Sequence, residues 1–310
     1  MRVLITGAGG LLGGALARRL AARDDIELVV WSRAPLAAFP QGRAIDLRSD
    51  RAVAFAMRDD APDVVVHAAG GLFQARSGVA YDDFLLTTHA ARAVAFYAGD
   101  TRFLLFGSAA QYGASEARTP WRETDRCTPV GAYGEAKARA EDSARGEARR
   151  AGFPLTVLRI FNVVAPAPHG RQAFAAFLRK AADALAGPPP WRVRMGPLDA
   201  VRDFVAVDDV TDAAERVIDR GVWGETINVC TGVGTTVRDL LEATAALLPG
   251  ALAIEEDGGP AGLDWSVGDP SRCEALLGLR PSADLEPIVR GGADWIVAAA
   301  KDGADARSGA

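Results

Sequence analysis

Short unbroken apolar runs alternate along the chain with longer Ala-rich stretches in which apolar residues recur every three or four positions. Met1 to Thr6 is a β-rich run, a Gly-rich turn follows, and Leu11 to Ala22 has the spacing of a helix with one apolar face. Further apolar runs stand at Ile26–Trp31, Val64–His67, Phe103–Phe106 and Leu155–Phe161. A strand that is apolar at every position must be buried on both faces. Such strands alternating with helices predict an α/β fold, a doubly wound parallel sheet with helices on each side.

After Phe161 the pattern is broken by Ala165-Pro166-Ala167-Pro168-His169-Gly170, Gly187-Pro188-Pro189-Pro190 and Asp257-Gly258-Gly259-Pro260. A second, smaller mixed α/β lobe is expected there. Val205 to Val207 and Thr226 to Val229 predict two further strands that return the chain to the sheet, the first followed by Asp208 or Asp209 as a helix N-cap. The expected organisation is a first domain over residues 1–165, to which 205–230 returns, and a second lobe over 166–204 and 231–300. A polar tail over 301–310 is expected to fray.

The 310 residues are 49% hydrophobic and 24% charged, as in an ordinary globular protein, which excludes disorder, collagen-like repeats and coiled coil. A net charge of -5 with no run of Lys and Arg repels nucleic acid, so any anionic ligand must be held by local Arg residues. Cys127, Cys230 and Cys273 have no CxxC spacing, and His67, His89 and His169 have no ligand-like spacing to them. This points to a reducing compartment and no metal. No stretch reaches the roughly eighteen apolar residues that span a bilayer. The N-terminal run imitates an export signal, with Ala15-Leu16-Ala17 as a mock cleavage site. Gly7, Gly9, Gly10, Gly13 and Gly14 interrupt it, however, and Arg18-Arg19 suits the end of a helix. A cytoplasmic protein without a membrane partner is expected.

Thr6-Gly7-Ala8-Gly9-Gly10-Leu11-Leu12-Gly13 lies at the join of the first strand and helix, where a dinucleotide's pyrophosphate can rest on backbone amides and the positive helix end. Small residues also let any helix pack tightly on a strand. It is the position that assigns Gly7, Gly10, Leu11, Leu12 and Gly13 to a cofactor and makes the sheet Rossmann-like. The second strand ends Val29-Val30-Trp31-Ser32-Arg33, where a carboxylate would bind the ribose hydroxyls of NAD. The acid is missing. The Ser32 hydroxyl and the planar Arg33 cation suit a 2'-phosphate instead, so NADP(H) is expected, against the alternative that Arg33 is merely solvated.

Tyr133-Gly134-Glu135-Ala136-Lys137 puts a phenol and an ammonium on one helix face. A free phenol titrates near 10, and an adjacent cation brings it toward the range of acid-base work at pH 7. The spacing alone recurs by chance in many helices. Ser108 strengthens it, because Phe103-Leu104-Leu105-Phe106 reads as a buried strand and Gly107-Ser108 leaves its carboxyl end, where α/β sheets bind ligands. Ser108 could instead cap a turn. A GxSxG hydrolase elbow is absent.

The ordered set TGAGGLLG from Thr6, HAAG from His67, GSAAQYG from Gly107, YGEAK from Tyr133, LRIFNVVAP from Leu158 and VRDFVAVDDV from Val201 resembles an extended short-chain dehydrogenase/reductase of the NAD-dependent epimerase/dehydratase family. With INVCTG near Ile227 and VGDPSR near Val267, it looks most like the sugar-nucleotide 4-ketoreductases of that family. The resemblance implies that Ser108, Tyr133 and Lys137 form the catalytic triad. It places Asp46, Leu47, Ala68, Ala69 and Gly70, together with Tyr133 and Lys137, at the cofactor. It also implies that Ser108, Asn162 and Arg202 contact a nucleotide-sugar substrate. A homodimer through the helices at 91–98 and 134–150 is implied too, although Arg145, Glu147, Arg149 and Arg150 read as a solvated face. Departures from the family pattern are Thr87 where it has Asn, Ala165 where it has Gly, and Gly259 where an Arg is usual. Arg171 is the candidate replacement for that grip on the substrate diphosphate, against the alternative that it is a solvated residue at a helix start.

A dehydratase needs carboxyl groups after the active-site hydroxyl, and Ala109 and Ala110 stand there. The expected reaction is NADPH-dependent reduction of the 4-keto group of a dTDP- or GDP-linked 4-keto-6-deoxyhexose. The alternative is an NAD-dependent nucleotide-sugar 4-epimerase. A dinucleotide sensor without turnover would not need Ser108, Tyr133 and Lys137 together.

Overall fold

The computed structural model describes residues 1–70, 72–75, 78–97, 100–169, 172–258 and 263–308. In chain order the first part holds β1 (Arg2–Thr6), α1 (Leu11–Ala21), β2 (Glu27–Ser32), β3 (Arg43–Ala44), α2 (Asp50–Asp60), β4 (Val64–His67), the antiparallel pair β5 (Leu72–Ala75) and β6 (Gly78–Tyr81), and α3 (Asp83–Tyr97). It continues with β7 (Arg102–Ser108), α4 (Gly131–Ala151), β8 (Leu155–Ile160) and β9 (Asn162–Val164). Then follow α5 (Ala173–Leu185), β10 (Trp191–Met195), β11 (Val201–Arg202), β12 (Phe204–Ala206), α6 (Val207–Arg220), β13 (Thr226–Val229), β14 (Thr235–Thr236), α7 (Val237–Ala245), β15 (Leu252–Glu256), β16 (Trp265–Ser266), α8 (Ser271–Leu277) and α9 (Glu286–Ser308).

The main sheet has seven strands in the order β13-β8-β7-β4-β1-β2-β3, every neighbouring pair parallel. Its side chains alternate between two apolar layers. Val3, Ile5, Val64, Val66, Leu104 and Phe106 face the layer that holds Leu16 and Leu20 of α1 and Val210 and Val217 of α6. Leu4, Val65, Phe103 and Leu105 face the opposite layer, with Val53 and Met57 of α2 and Ala90 and Val94 of α3. A period of two on a sheet covered on both sides leaves no position for a polar residue, which is why these runs are continuous. The α/β doubly wound fold expected from the sequence is the one observed.

A third apolar cluster, from α5, α7, α9 and β10, forms the core of the second lobe. β13 adds to the edge of the main sheet as expected, but the other returning strand does not. It spans Phe204–Ala206 and pairs with β9 in a separate two-stranded sheet. Val207 is already helical, and the N-cap of α6 is Ala206, without a side-chain bond. Asp208 and Asp209 are therefore not caps. They sit in the first turn, where their charge faces the positive helix end, and Asp209 also accepts a bond from the Ser282 amide at 3.0 Å. At the C-terminus α9 extends to Ser308, so the helix runs on through most of the segment expected to fray.

Candidate active site

The strand order reverses between β1 and β4, and a groove of about 450 Å³ opens there at the carboxyl ends of the strands. Gly7 stands at φ +74°, and a Cβ on it would fall 2.6 Å from the Ala69 amide nitrogen. A Cβ on Gly13 would overlap the Gly7 carbonyl. Gly10 is the N-cap of α1 and offers the first-turn amides of Leu11, Leu12 and Gly13 no side-chain partner. Bare backbone around a helix N-terminus is what a dinucleotide pyrophosphate requires, so these residues fit the cofactor that the fold implies.

Ser32, Arg33, Asp46 and Leu47 line the same groove, and Ala68, Ala69 and Gly70 form its far wall. Arg33 is exposed, whereas the Ser32 hydroxyl donates to the Ala34 carbonyl at 2.5 Å. Asp46 accepts from the Arg48 amide at 3.0 Å, and the buried His89 Nδ1 bonds the Leu47 carbonyl at 2.8 Å, which fixes this loop onto α3.

A second cavity, of about 610 Å³, shares Ala68 and Gly70 with the groove. Ser108, at the end of β7, and Tyr133 and Lys137, one turn apart on α4, all line it. Ser108 Oγ accepts from the Ala110 amide at 3.2 Å, so the turn-capping role weighed from the sequence is realised while the residue also faces the cavity. Tyr133 is 39% exposed. Among the described lining residues the ionisable ones are Tyr133, Lys137 and Arg202, and no carboxyl, imidazole or thiol joins them. No group of three His, Cys, Asp or Glu among the described residues is placed to hold a metal.

Asn162, at the start of β9, and Arg202, from the second lobe, also reach the cavity. The Asn162 side-chain Nδ2 lies 3.4 Å from the Asp203 carbonyl, and the Arg202 guanidinium donates to the carbonyls of Val201 and Leu263 at 2.8 and 2.5 Å. Burial pulls Arg202 below its ordinary value, against the field of Asp264. Next to it the fully buried Asp203 accepts from the Thr231 amide and hydroxyl, both at 2.8 Å, and from the amides of Gly232 at 2.9 Å and Gly268 at 3.2 Å. It thereby ties the lobe to the end of the sheet. Arg171 and Gly259 lie outside the described residues. Gln172 and Ser266 also line the cavity, and no pattern in the sequence marks them.

Three buried groups support the site, and two of them, Asp83 and Glu141, carry no local signal in the sequence. Asp83 pairs with Lys137 Nζ at 2.7 Å. His67 bridges Thr6 at 2.9 Å and Thr87 at 3.2 Å, and burial together with the Lys137 charge pulls it down to about 3, so it stays neutral. Thr87, read as a departure from the family, thus holds this ring. Glu141, one turn beyond Lys137, accepts from Arg159 at 2.8 Å, from Arg145 at 2.8 Å and from Gln111 at 2.6 Å, clamping α4 onto β8 and onto the turn after Ser108. Arg145 and Glu147, read as solvated, are accordingly half-buried, while Arg149 and Arg150 are exposed.

A parallel seven-stranded Rossmann-like sheet, a glycine-lined dinucleotide groove and a serine, tyrosine and lysine in the adjoining cavity define an NAD(P)-dependent oxidoreductase of the short-chain dehydrogenase/reductase class. Residues 3–230 match the NAD dependent epimerase/dehydratase family, and the chain belongs to it. It is 30% identical to the dTDP-6-deoxy-L-talose 4-dehydrogenase (NAD(P)(+)) of Kitasatospora kifunensis, with 93% of each chain covered. It is 28% identical to the GDP-6-deoxy-D-mannose reductase of Pseudomonas aeruginosa, with 93% of this chain and 95% of that one covered. Among solved structures it resembles RMD from Pseudomonas aeruginosa complexed with NADPH, at a TM-score of 0.81 and 25% identity over 96% of this chain and 99% of that one. It also resembles the UDP-glucose 4-epimerase of Thermus thermophilus in complex with NAD, at 0.78 and 26% over the same shares. No helix among the described residues is long and apolar enough to cross a membrane.

Proposed function

We propose that the protein reduces the 4-keto group of a dTDP- or GDP-linked 4-keto-6-deoxyhexose to the alcohol, with NADPH as donor. The observation that carries this reading is the cavity shared by Ser108, Tyr133 and Lys137, which meets the dinucleotide groove at Ala68 and Gly70 and has no carboxyl group among its described lining residues. Dehydration needs such carboxyl groups, and Ala109 and Ala110 occupy the positions after Ser108. The names of the relatives that act on dTDP- and GDP-linked 6-deoxyhexoses support the substrate class.

NADPH, when bound along Gly7–Gly13 and Arg33, supplies a hydride to the carbonyl carbon. Ser108 donates a hydrogen bond to the carbonyl oxygen, and Tyr133 gives that oxygen its proton as the carbon–oxygen double bond becomes single. Lys137 supplies the neighbouring positive charge and a donor toward the nicotinamide ribose. Asn162 and Arg202 hold the nucleotide-linked sugar, joined by Arg171. In this reading residues 1–165 and 205–230 bind the cofactor, and 166–204 and 231–300 bind the substrate. The protein works in the cytoplasm as a homodimer through α3 and α4.

The likeness to an epimerase that carries NAD favours a second reading, an NAD-dependent 4-epimerase. Absorbance at 340 nm, followed with a panel of nucleotide-linked 4-keto sugars, separates them. A reductase consumes NADPH in proportion to sugar. An epimerase leaves NADPH untouched and releases bound NAD on denaturation, and that result would overturn the proposal.

A further inference from the structure

We infer that Asp83 is a positioning residue for Lys137: its buried carboxylate holds the lysine ammonium charged and fixed at the wall between the cofactor groove and the substrate cavity. The two groups meet at 2.7 Å, with 1% of the Asp83 side chain and 14% of the Lys137 side chain exposed. Asp83 is the first residue of α3, where the helix dipole favours a carboxylate, so the anion is stabilised from two sides. Gly70 completes the arrangement. A Cβ on it would overlap Asp83 Oδ1 and lie 3.0 Å from Lys137 Nζ, so the glycine leaves the space in which the pair forms.

A buried ammonium without an anion loses its proton readily. The described titratable groups facing Lys137 are Tyr133 on α4, Asp83 on α3 and His67 on β4, and His67 is neutral. Burial pulls Lys137 down, but Tyr133 and Asp83 outweigh it and hold the lysine above its ordinary value. Removing Asp83 withdraws an anion in direct contact and leaves the burial in place.

The chain's lysines are Lys137, Lys180 and Lys301, so carbon-13 labelling at lysine Cε gives a sparse spectrum of the whole protein. Titration of the wild type by NMR should show Lys137 holding its proton above the ordinary lysine value of about 10.4. In Asp83→Asn its titration should fall by about one pH unit or more, the size of shift that loss of a contacting charge produces. A wild-type Lys137 that titrates below that ordinary value, or a titration unmoved in the variant, would overturn the inference. The wild-type result decides alone where the variant does not fold.

The activity arm rests on the reductase reading. There kcat of Asp83→Asn should fall about tenfold toward alkaline pH, following the fraction of charged lysine, with KM for the nucleotide sugar unchanged and Asp83→Glu restoring part of the loss. A shifted lysine titration in a protein that turns over no 4-keto sugar would support the role of Asp83 and count against the reductase instead.

Discussion

Replacing Glu141 by Ala should lower the melting temperature by about 5–8 °C. Glu141 is 3% exposed and Arg159 7%, and the carboxylate is the acceptor for the Arg159 Nε and Nη2 donors at 3.1 and 2.8 Å. Without it a buried guanidinium keeps, among the described residues, the Glu123 carbonyl at 3.3 Å and the face of Tyr112. Breaking one partner of such a pair costs about 3–5 kcal/mol. A 310-residue chain unfolds with an entropy worth about 0.65 kcal/mol per degree, which converts that cost into the stated drop.

The pH dependence has a definite sign. Burial alone would raise the Glu141 carboxyl, but the bonds and charges of Arg159 and Arg145 hold it below its ordinary value. Its folded pKa lies under the unfolded one, so its contribution is complete above the ordinary carboxylate range and is lost progressively as the pH falls from that range through the lowered folded value. The gap between wild type and variant should narrow below about pH 4. Scanning calorimetry at pH 7 and at about pH 3 measures both. Replacing Glu141 by Leu and Arg159 by Met together removes the stranded charge and should regain most of the loss. A drop under about 2 °C for the single variant at pH 7 would refute the reasoning, because it would mean that Arg159 finds water.

Tyr133→Phe should lose at least about a hundredfold in turnover while NADPH affinity stays within a few-fold, measured by single-turnover kinetics and calorimetric titration. Arg33→Ala should weaken NADPH about ten- to a hundredfold and leave NADH unchanged, since one charge-assisted contact to the 2'-phosphate is removed; equal losses for both cofactors would refute the assignment. Gly13→Ala puts a methyl group into the Gly7 carbonyl, so NADPH binding should fall by about tenfold or more together with thermal stability. Unchanged binding would show that the loop yields without cost.

What the sequence discloses follows how far apart the cooperating residues lie. The strands are legible because burial on both faces leaves a continuous apolar signature, as in Phe103–Phe106. Tyr133 and Lys137 are legible because one helical turn brings them together, and Ser108 because a buried strand ends beside it. Asp83 meets Lys137, and Arg159 meets Glu141, only through packing between separate elements, and no local spacing encodes either pair. The start of α6 slips by the same logic. Asp208 and Asp209 favour the helix end by charge alone, which is satisfied from the first turn as well as from the cap. The pairing of β12 with β9 rather than the main sheet is set by where the chain leaves β8, which a run of three residues cannot report.

The two cavities meet at a partition made of Ala68 and Gly70, with hardly any side chain in it. Chemistry that passes between two ligands at such a point depends on main-chain placement, which few substitutions can retune. The remote lining from Phe174, Met195 and Val237 has no such restraint. In the proposed reading, a change of sugar would come from remodelling that remote lining, while the partition between cofactor and substrate would stay as it is.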